Sequence, residues 1–207
     1  MIKIENVEVF GWEAAIRGMR NPMNSWHLSD SDFAWDSGSL LKVGENDRRL
    51  MKNLSKAGDD HGKFLRYINV TVDITSPLYW WKEFDTYKVG TTANSCSTMH
   101  KVHAKEFTLD DFSHEHLNDR SINCLENLIS VMNLSREHFV TDKSKDDWWQ
   151  MIQLLPTSYN QMRTVTMNYE VLTNMYHARK NHKLDEWHEL CRWIESLPYA
   201  EELIIGE

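Results

Sequence analysis

A strict alternation of apolar and polar residues runs from Tyr67 to Thr75 in this 207-residue chain, and it limits the possible folds more than any other pattern. The apolar positions are all β-branched, and single polar residues separate them: Ile68, Val70, Val72 and Ile74. An alternation with a period of two is typical of a β-strand with one buried face. The sequence therefore predicts a strand over residues 67–75.

A short helix and a polar loop are predicted directly after this strand. Pro77 is favourable in a first helical turn, and the aromatic stretch Leu78–Tyr87 contains no helix breaker. Gly90 and the small polar residues 91–95 predict a loop that is rich in hydroxyl and amide groups. Loops held on rigid elements often carry binding or catalytic residues, so we expect functional residues here.

The remaining patterns predict further helices, two strands and one long irregular segment. Apolar periodicity and helix-ending residues predict helices over 12–19, 45–57 and 118–134. Strands are predicted at the N-terminus, with a break near Glu5-Asn6, and over residues 100–107. Residues 21–39 are dense in Ser, Asp and Asn and predict a functional lid, an oligomer contact or an ordinary surface loop.

Composition limits the classes of partner. The net charge of −8 argues against general binding to nucleic acid or to an anionic membrane, and it leaves room for a local cationic pocket. Three scattered cysteines are too few for a disulfide framework and predict reduced thiols. The N-terminus lacks a signal-peptide pattern and no apolar run is long enough for a membrane span. We therefore expect a soluble cytoplasmic protein.

A histidine-rich segment invites interpretation as a metal site. His114, Glu115 and His116 follow His100 and His103, and these side chains suit zinc or iron. However, residues two apart do not share a helix face, and the HExxH motif is absent. We predict no metal site, and a metal hydrolase is the least favoured alternative.

The segment that begins at Pro77 resembles the core of the flavin-dependent thymidylate synthases, the ThyX family. Their hallmark, RHRxxSxNxxSxR, follows a strand and a short helix near a proline. Aligned from Pro77 without a gap, the hallmark falls on Thr86, Tyr87, Lys88, Thr91, Ala93, Cys96 and Thr98. Lys88 keeps a positive charge, Thr91 keeps a hydroxyl, and Cys96 offers a related nucleophilic atom.

The C-terminal part resembles the same family. Pro156 and Asn168 are twelve positions apart, as in the family's Leu-Pro and Asn, and Glu186-Trp187 stands where the family has Gln-Trp. Other matching positions are Leu172, Asn174, Met175 and Arg179, and His61 matches a family histidine. The resemblance covers about residues 45–190.

The spacing of these residues predicts a site. Asn168, Leu172, Met175 and Arg179 are 4, 3 and 4 positions apart, which predicts one face of a helix. Arg179 suits recognition of a phosphate or carboxylate; its alternative role is to stabilise the helix C-terminus.

The chain departs from the family at several charged positions. Ile152 and Glu170 replace arginines, Arg66 and Tyr67 replace a Glu-His pair, and the Arg-His-Arg cluster has become Thr86-Tyr87-Lys88. A phosphorylated ligand would thereby lose charge-assisted hydrogen bonds. The cations that could compensate are Arg17, Arg20, Lys82 and Arg163.

The resemblance implies a ThyX-like α+β fold: a small, mostly antiparallel sheet flanked by helices, with the 67–75 strand central, in a single domain over 1–207. It implies FAD-dependent methyl transfer from methylene-tetrahydrofolate to dUMP, with the flavin as hydride carrier and NADPH as reductant, in a homotetramer. The implied catalytic residues are Cys96 and Lys88. The implied cofactor-binding residues are His61, Thr86, Tyr87, Lys88, Asn168 and Asn174. The implied substrate-binding residues are Lys82, Glu83, Thr91, Cys96 and Arg179.

The alternative is a protein of the same fold that has lost synthase activity. Such a protein would bind another nucleotide or flavin, or would act as a structural oligomer, because a fold does not determine a function.

Overall fold

The computed structural model describes residues 2–34 and 40–206. The strands are β1 (Lys3–Phe10), β2 (Asp32–Phe33), β3 (Leu40–Lys42), β4 (Asn69–Pro77), β5 (Thr91–Ser95) and β6 (Asn160–Asn168). The helices are α1 (Trp12–Arg20), α2 (Glu45–Lys56), α3 (Asp59–Gly62), α4 (Leu78–Phe84), α5 (Thr98–Lys101), α6 (Asp119–Asp142), α7 (Lys145–Leu154), α8 (Tyr169–Arg179) and α9 (Asp185–Glu195).

A four-stranded sheet has the order β1-β4-β6-β5, and β2 pairs with β3 in an antiparallel ribbon. The predicted α+β fold, a small antiparallel sheet flanked by helices, is confirmed. β4 occupies an interior position, as predicted. Val70, Val72 and Ile74 are fully buried, while the polar residues between them are partly exposed. The alternation therefore predicts the buried and the exposed face of the strand correctly. The strand begins at Asn69 because residues Lys63–Tyr67 form a 3₁₀ turn.

Two local predictions around β5 are wrong. Residues 91–95 form a strand instead of a loop, and residues 100–107 form the end of α5 and a turn instead of a strand. Small hydroxyl residues tolerate an extended backbone, and β5 is held by its neighbour β6: the Cys96 amide, just beyond the strand, donates to the Met162 carbonyl at 3.0 Å. Pairing with a distant segment therefore overrides the local turn pattern.

The C-terminal site helix begins later than its spacing predicts. Residues 160–168 form β6, which the sequence pattern does not indicate. Asn168 is consequently the N-cap of α8, and its side chain accepts a hydrogen bond from the Val171 amide at 3.0 Å. The prediction that Asn168 and Arg179 lie on one helix face is wrong for Asn168, because a cap residue lies outside the helical turn.

The other predicted elements differ mainly in length. α1 and α2 agree with prediction to within one residue. α6 extends to Asp142, eight residues beyond the predicted end at Leu134, and α4 ends at Phe84 instead of Tyr87. β1 runs through the predicted break, where Asn6 adopts a positive φ of 51°.

The chain divides into two compact units. The first comprises residues 1–4, 74–86 and 94–164, and the second comprises residues 5–73, 87–93 and 165–207. The prediction of a single domain stays a prediction. The first unit contains an apolar cluster of Val102, Phe107, Phe112, Leu125, Ile129, Met132 and Met151. In the second unit, Trp12 makes edge contacts with Tyr169 and Tyr199, both with ring centroids 5.5 Å apart.

A buried carboxylate organises part of the predicted irregular segment 21–39. Residues 21–34 form two 3₁₀ turns and β2, and residues 35–39 lie outside the described residues. Asp47 of α2 accepts hydrogen bonds from Arg20 Nε (2.6 Å), the hydroxyls of Ser29 (2.7 Å) and Ser31 (2.6 Å), and the Asp30 amide (3.1 Å). Residues 29–31 are thereby attached to the start of α2.

The three cysteines are free thiols, of which Cys191 is buried. Within the described ranges, no helix combines the length and apolar character that crossing a membrane requires.

Candidate functional site

Arg179, at the end of α8 in the second unit, is held in one orientation by two aromatic side chains. Its Nε donates a hydrogen bond to the Tyr87 hydroxyl at 2.9 Å. The guanidinium carbon lies 4.7 Å from the ring centre of Trp187 and 5.6 Å from that of Tyr87. Trp187 is buried, whereas Arg179 and Tyr87 are partly exposed. Contact with a desolvated ring stabilises the cation, and a pre-oriented guanidinium suits planar recognition of phosphate or carboxylate.

The sequence next to Arg179 is basic as far as residue 183, and Asp185 and Glu186 follow it. Residues 177–183 contain Arg179, Lys180 and Lys183, two histidines and no acidic residue. Lys88, which directly follows Tyr87, is exposed. These charges complement the helix C-terminus, and they also raise the local attraction for an anion.

The loop that contains Gly90 packs closely against the start of α8. Gly90 has a φ of 74°, and a Cβ at this position would lie 3.0 Å from Val171 Cγ2 and 3.1 Å from Asn168 Nδ2. The neighbouring Thr91 has a buried hydroxyl for which the described part of the chain supplies no hydrogen-bond partner. Buried hydroxyls are almost always satisfied, so this atom marks a place where a ligand or water atom is required.

The charge reversal at Glu170 is neutralised within the second unit. Arg66 Nε donates to Glu170 Oε2 at 2.8 Å. The family resemblance implies an acidic residue at position 66 and an arginine at position 170, so the two charges are exchanged in this chain. Glu170 therefore does not present an unopposed negative charge to a ligand.

His61 lines a cavity of this unit, with a volume of about 550 Å³. The apolar wall includes Met19, Phe64 and Tyr67, and the polar part includes His61 and Lys63. Tyr67 is 52% exposed although it is a large aromatic residue. Mostly apolar cavities with a few polar groups are typical of small-molecule sites. Asn174 is exposed on α8.

The first unit contains the other sequence-predicted residues. Cys96 is exposed and lines a cavity of about 620 Å³, together with Lys101, Tyr159 and Gln161. Lys82 is exposed on α4 and Glu83 is partly exposed. The Thr86 hydroxyl donates to the Glu83 carbonyl at 2.8 Å, so it terminates α4.

Ile152 and three arginines that could compensate for the cations expected from the resemblance have defined surroundings. Ile152, at the position of a family arginine, packs against the apolar cluster of the first unit. Of the proposed replacements, Arg20 is buried against Asp47, and Arg163 donates to Asp85 at 2.7 Å and to Gln161 at 3.1 Å. Arg17 is exposed, with Glu13 at 3.8 Å. Arg20 and Arg163 are therefore committed to structural contacts.

Two features of these sites are not indicated by the amino-acid sequence. Trp187 stands at a position that matches the family, but its contact with Arg179 has no signal in the sequence, because seven residues and a turn separate the two. Gln161 carries no recognisable signal in a segment without a predicted strand. The histidine-rich segment around His114 does not produce a cluster: among the described residues, no three His, Cys, Asp or Glu side chains are arranged to hold a metal ion.

Solved structures with the same fold cover nearly the whole chain. Thymidylate synthase X from Helicobacter pylori with FAD and dUMP matches with a TM-score of 0.71 at 16% identity, over 99% of this chain and 97% of that chain. A second structure of the Helicobacter pylori enzyme with FAD and dUMP matches with a TM-score of 0.68 at 16% identity, over 97% and 98%. The UMP/dUMP methylase PolB from Streptomyces cacaoi, bound with 5-Br dUMP, matches with a TM-score of 0.67 at 12% identity, over 100% and 95%.

No family model and no curated protein matches the sequence. The predicted ThyX-like fold is thus confirmed by structure. At these identities the likeness establishes the fold alone.

Proposed function

We propose that this protein binds a uridine nucleotide and FAD and methylates C5 of the uracil ring. The observation that carries the proposal is the guanidinium of Arg179, which Tyr87 and Trp187 hold in a cationic segment. The proteins of the same fold support it, since their structures hold dUMP or 5-Br dUMP. In this proposal Arg179 binds the nucleotide phosphate.

The donor set of the second unit fits a flavin nucleotide. The Thr91 hydroxyl, a proposed substrate contact, has no hydrogen-bond partner among the described residues, and the absence of a Cβ at Gly90 lets the same loop approach Val171 and Asn168 closely. Tyr87, Lys88 and the Asn168 amide add donors from the same loop and helix start. Lys88 would supply a positive charge that stabilises a pyrophosphate or a developing negative charge on a ring.

The proposed reaction needs a carbon donor and a reductant. When bound, FAD supplies hydride transfer, which no amino-acid side chain can perform. Methylene-tetrahydrofolate would supply the carbon and NADPH the electrons. His61 and Asn174 are proposed cofactor contacts, and the apolar cavity at His61 is suited to a planar ring.

In the first unit, Cys96, Lys82 and Glu83 remain proposed substrate contacts. Thr86 is a weaker candidate for the cofactor, because its hydroxyl is already bonded to the Glu83 carbonyl. A homotetramer, which the resemblance implies, belongs to the proposal and is measurable by light scattering.

A second candidate function is nucleotide or flavin binding without methyl transfer. The packing of Ile152 against an apolar cluster favours it, because a substrate-holding arginine of the family is replaced there by a side chain that cannot donate. The commitment of Arg163 to Asp85 and Gln161 favours it also.

The first test is a titration of the purified protein with FAD, followed by flavin fluorescence, with and without dUMP. We expect saturable binding that dUMP strengthens. Arg179→Ala should weaken dUMP binding about 10- to 150-fold, the equivalent of one charge-assisted hydrogen bond. Tyr87→Phe keeps the ring and removes the hydrogen bond to Arg179, so it should have a smaller effect.

Arg192→Ala is the matched control, because Arg192 is an exposed arginine paired with Glu189 on the neighbouring helix α9. Equal dUMP affinities in all three variants would refute the role of Arg179. Formation of dTMP, or growth of a thymidine auxotroph without thymidine, then separates the synthase from the binding-only protein: binding without either supports the second function.

A further inference from the structure

The backbone carbonyl of Cys96 accepts a hydrogen bond from a buried glutamine of the neighbouring strand β6. We call this hydrogen bond the brace. Gln161 is only 7% exposed, and its Nε2 donates to the Cys96 carbonyl at 2.7 Å. The Cys96 amide donates to the Met162 carbonyl at 3.0 Å. Both backbone polar groups of Cys96 are thus bonded to β6, at the point where β5 ends.

Gln161 is itself held on both sides. Arg163 Nε donates to Gln161 Oε1 at 3.1 Å, and the Trp81 indole donates to the Gln161 carbonyl at 2.9 Å. The Arg163 guanidinium lies 4.2 Å from the ring centre of buried Trp81 and donates to Asp85 at 2.7 Å. The Arg163 side chain is only 14% exposed. Arg163 is stacked on one ring and hydrogen-bonded to two acceptors, so its side chain has little conformational freedom. The side-chain amide of Gln161, which Arg163 contacts, is therefore held in one orientation.

The brace acts on Cys96, which lies in the short segment between β5 and α5. Cys96 follows β5, and the next residue, Ser97, is the N-cap of α5. The Ser97 hydroxyl accepts a hydrogen bond from the His100 amide at 3.1 Å. Cys96 is exposed and lines the cavity of about 620 Å³, and Gln161 lines the same cavity. With the backbone fixed, only the side-chain torsion of Cys96 remains to be ordered.

We infer that Gln161, locked by Arg163, is a positioning residue that holds the Cys96 thiol at this cavity, where the thiol contacts the uracil nucleotide. The identity of the ligand rests on the proposed function, whereas the brace rests on the geometry of the first unit alone. Gln161 acts through Cys96.

Two variants remove the brace in different ways. Gln161→Glu keeps the side-chain length and an acceptor for Arg163 but removes the donor to the Cys96 carbonyl. Gln161→Met removes both side-chain bonds without adding a charge. The matched control is Asn133→Asp, because Asn133 Nδ2 donates to the Phe107 carbonyl at 2.8 Å in the same unit, away from Cys96.

The first readout is hydrogen exchange of the peptide that contains the Cys96 amide. Loss of a hydrogen bond of ordinary strength corresponds to about a 2- to 12-fold change in an equilibrium constant. We expect exchange there to rise by that factor in both Gln161 variants and to stay unchanged in Asn133→Asp. Unchanged exchange in either Gln161 variant would overturn the brace.

The second readout is alkylation of Cys96 by iodoacetamide, followed by mass spectrometry, with exposed Cys124 as the internal reference. We expect dUMP to slow alkylation of Cys96 but not of Cys124. This protection should be lost in both Gln161 variants at dUMP concentrations that still saturate them, and retained in Asn133→Asp. Protection that survives in a saturated Gln161 variant would contradict the positioning role.

The two hypotheses fail separately. If the titration shows no binding of dUMP, the proposed function is wrong and hydrogen exchange still decides the brace. If dUMP binds but does not protect Cys96, the nucleotide lies elsewhere and the inference is wrong.

Discussion

Asp47→Ala removes the acceptor of four hydrogen bonds that join the start of α2 to α1 and to residues 29–31. Asp47 is fully buried, and the side chain of its partner Arg20 is 4% exposed. Burial raises the pKa of Asp47, but hydrogen bonds from Ser31, Ser29 and Arg20 lower it by more, so this pKa lies below its ordinary value. The carboxylate is therefore ionised at neutral pH.

The cost of the substitution is dominated by the arginine that remains. The two serine hydroxyls and the Asp30 amide are only part-buried and can be rehydrated. Arg20 keeps a hydrogen bond to the Ser25 carbonyl at 3.2 Å but loses its countercharge in a buried position. Removal of one partner of a buried ion pair costs about 3–5 kcal/mol.

Thermal or urea unfolding at pH 7 measures this cost. A loss of about 3–5 kcal/mol lowers the Tm by about 6–20 °C for a protein of this size. Glu189→Ala is the control, because the Arg192–Glu189 pair is exposed and its loss should cost at most about 1 kcal/mol. A destabilisation by Asp47→Ala as small as that of the control would refute the argument that an unpaired buried Arg20 dominates.

Four further outcomes are expected. Because the folded pKa of Asp47 lies below 3.8, its contribution to stability is present above about pH 4 and is lost as the pH falls through the folded pKa; unfolding of Asp47→Asn should therefore depend less on pH in that range. Gly90→Ala should destabilise by about 1–2 kcal/mol in urea unfolding, since φ is 74° and the added Cβ approaches α8, and a neutral result would contradict this geometry. Arg66→Glu should cost at most about 1 kcal/mol, and Glu170→Arg added to it should restore most of that loss, a coupling that a double-mutant cycle measures. Burial raises the pKa of Cys191 to about 11, so mass spectrometry should find it unmodified by iodoacetamide at pH 8 in the folded protein, and rapid alkylation would contradict its burial.

Elements with a local signal can be predicted from the amino-acid pattern. The alternation from Ile68 to Ile74 predicts β4 and its buried face, and apolar periodicity with helix-ending residues predicts α1 and α2 closely. The family resemblance predicts the α+β fold that the structure confirms. In each case the information lies in side chains only a few positions apart, where periodicity determines which face is buried.

Elements and contacts whose partners are distant in sequence become apparent only in the folded chain. β5 is a strand because β6 supplies its hydrogen-bond partners, although the small polar residues of β5 favour a turn. Arg179 is oriented by Tyr87, which lies 92 positions away, and Cys96 is braced by Gln161, which lies 65 positions away. The periodicity of the sequence does not predict such contacts, because the groups that form these hydrogen bonds meet only when the chain has folded.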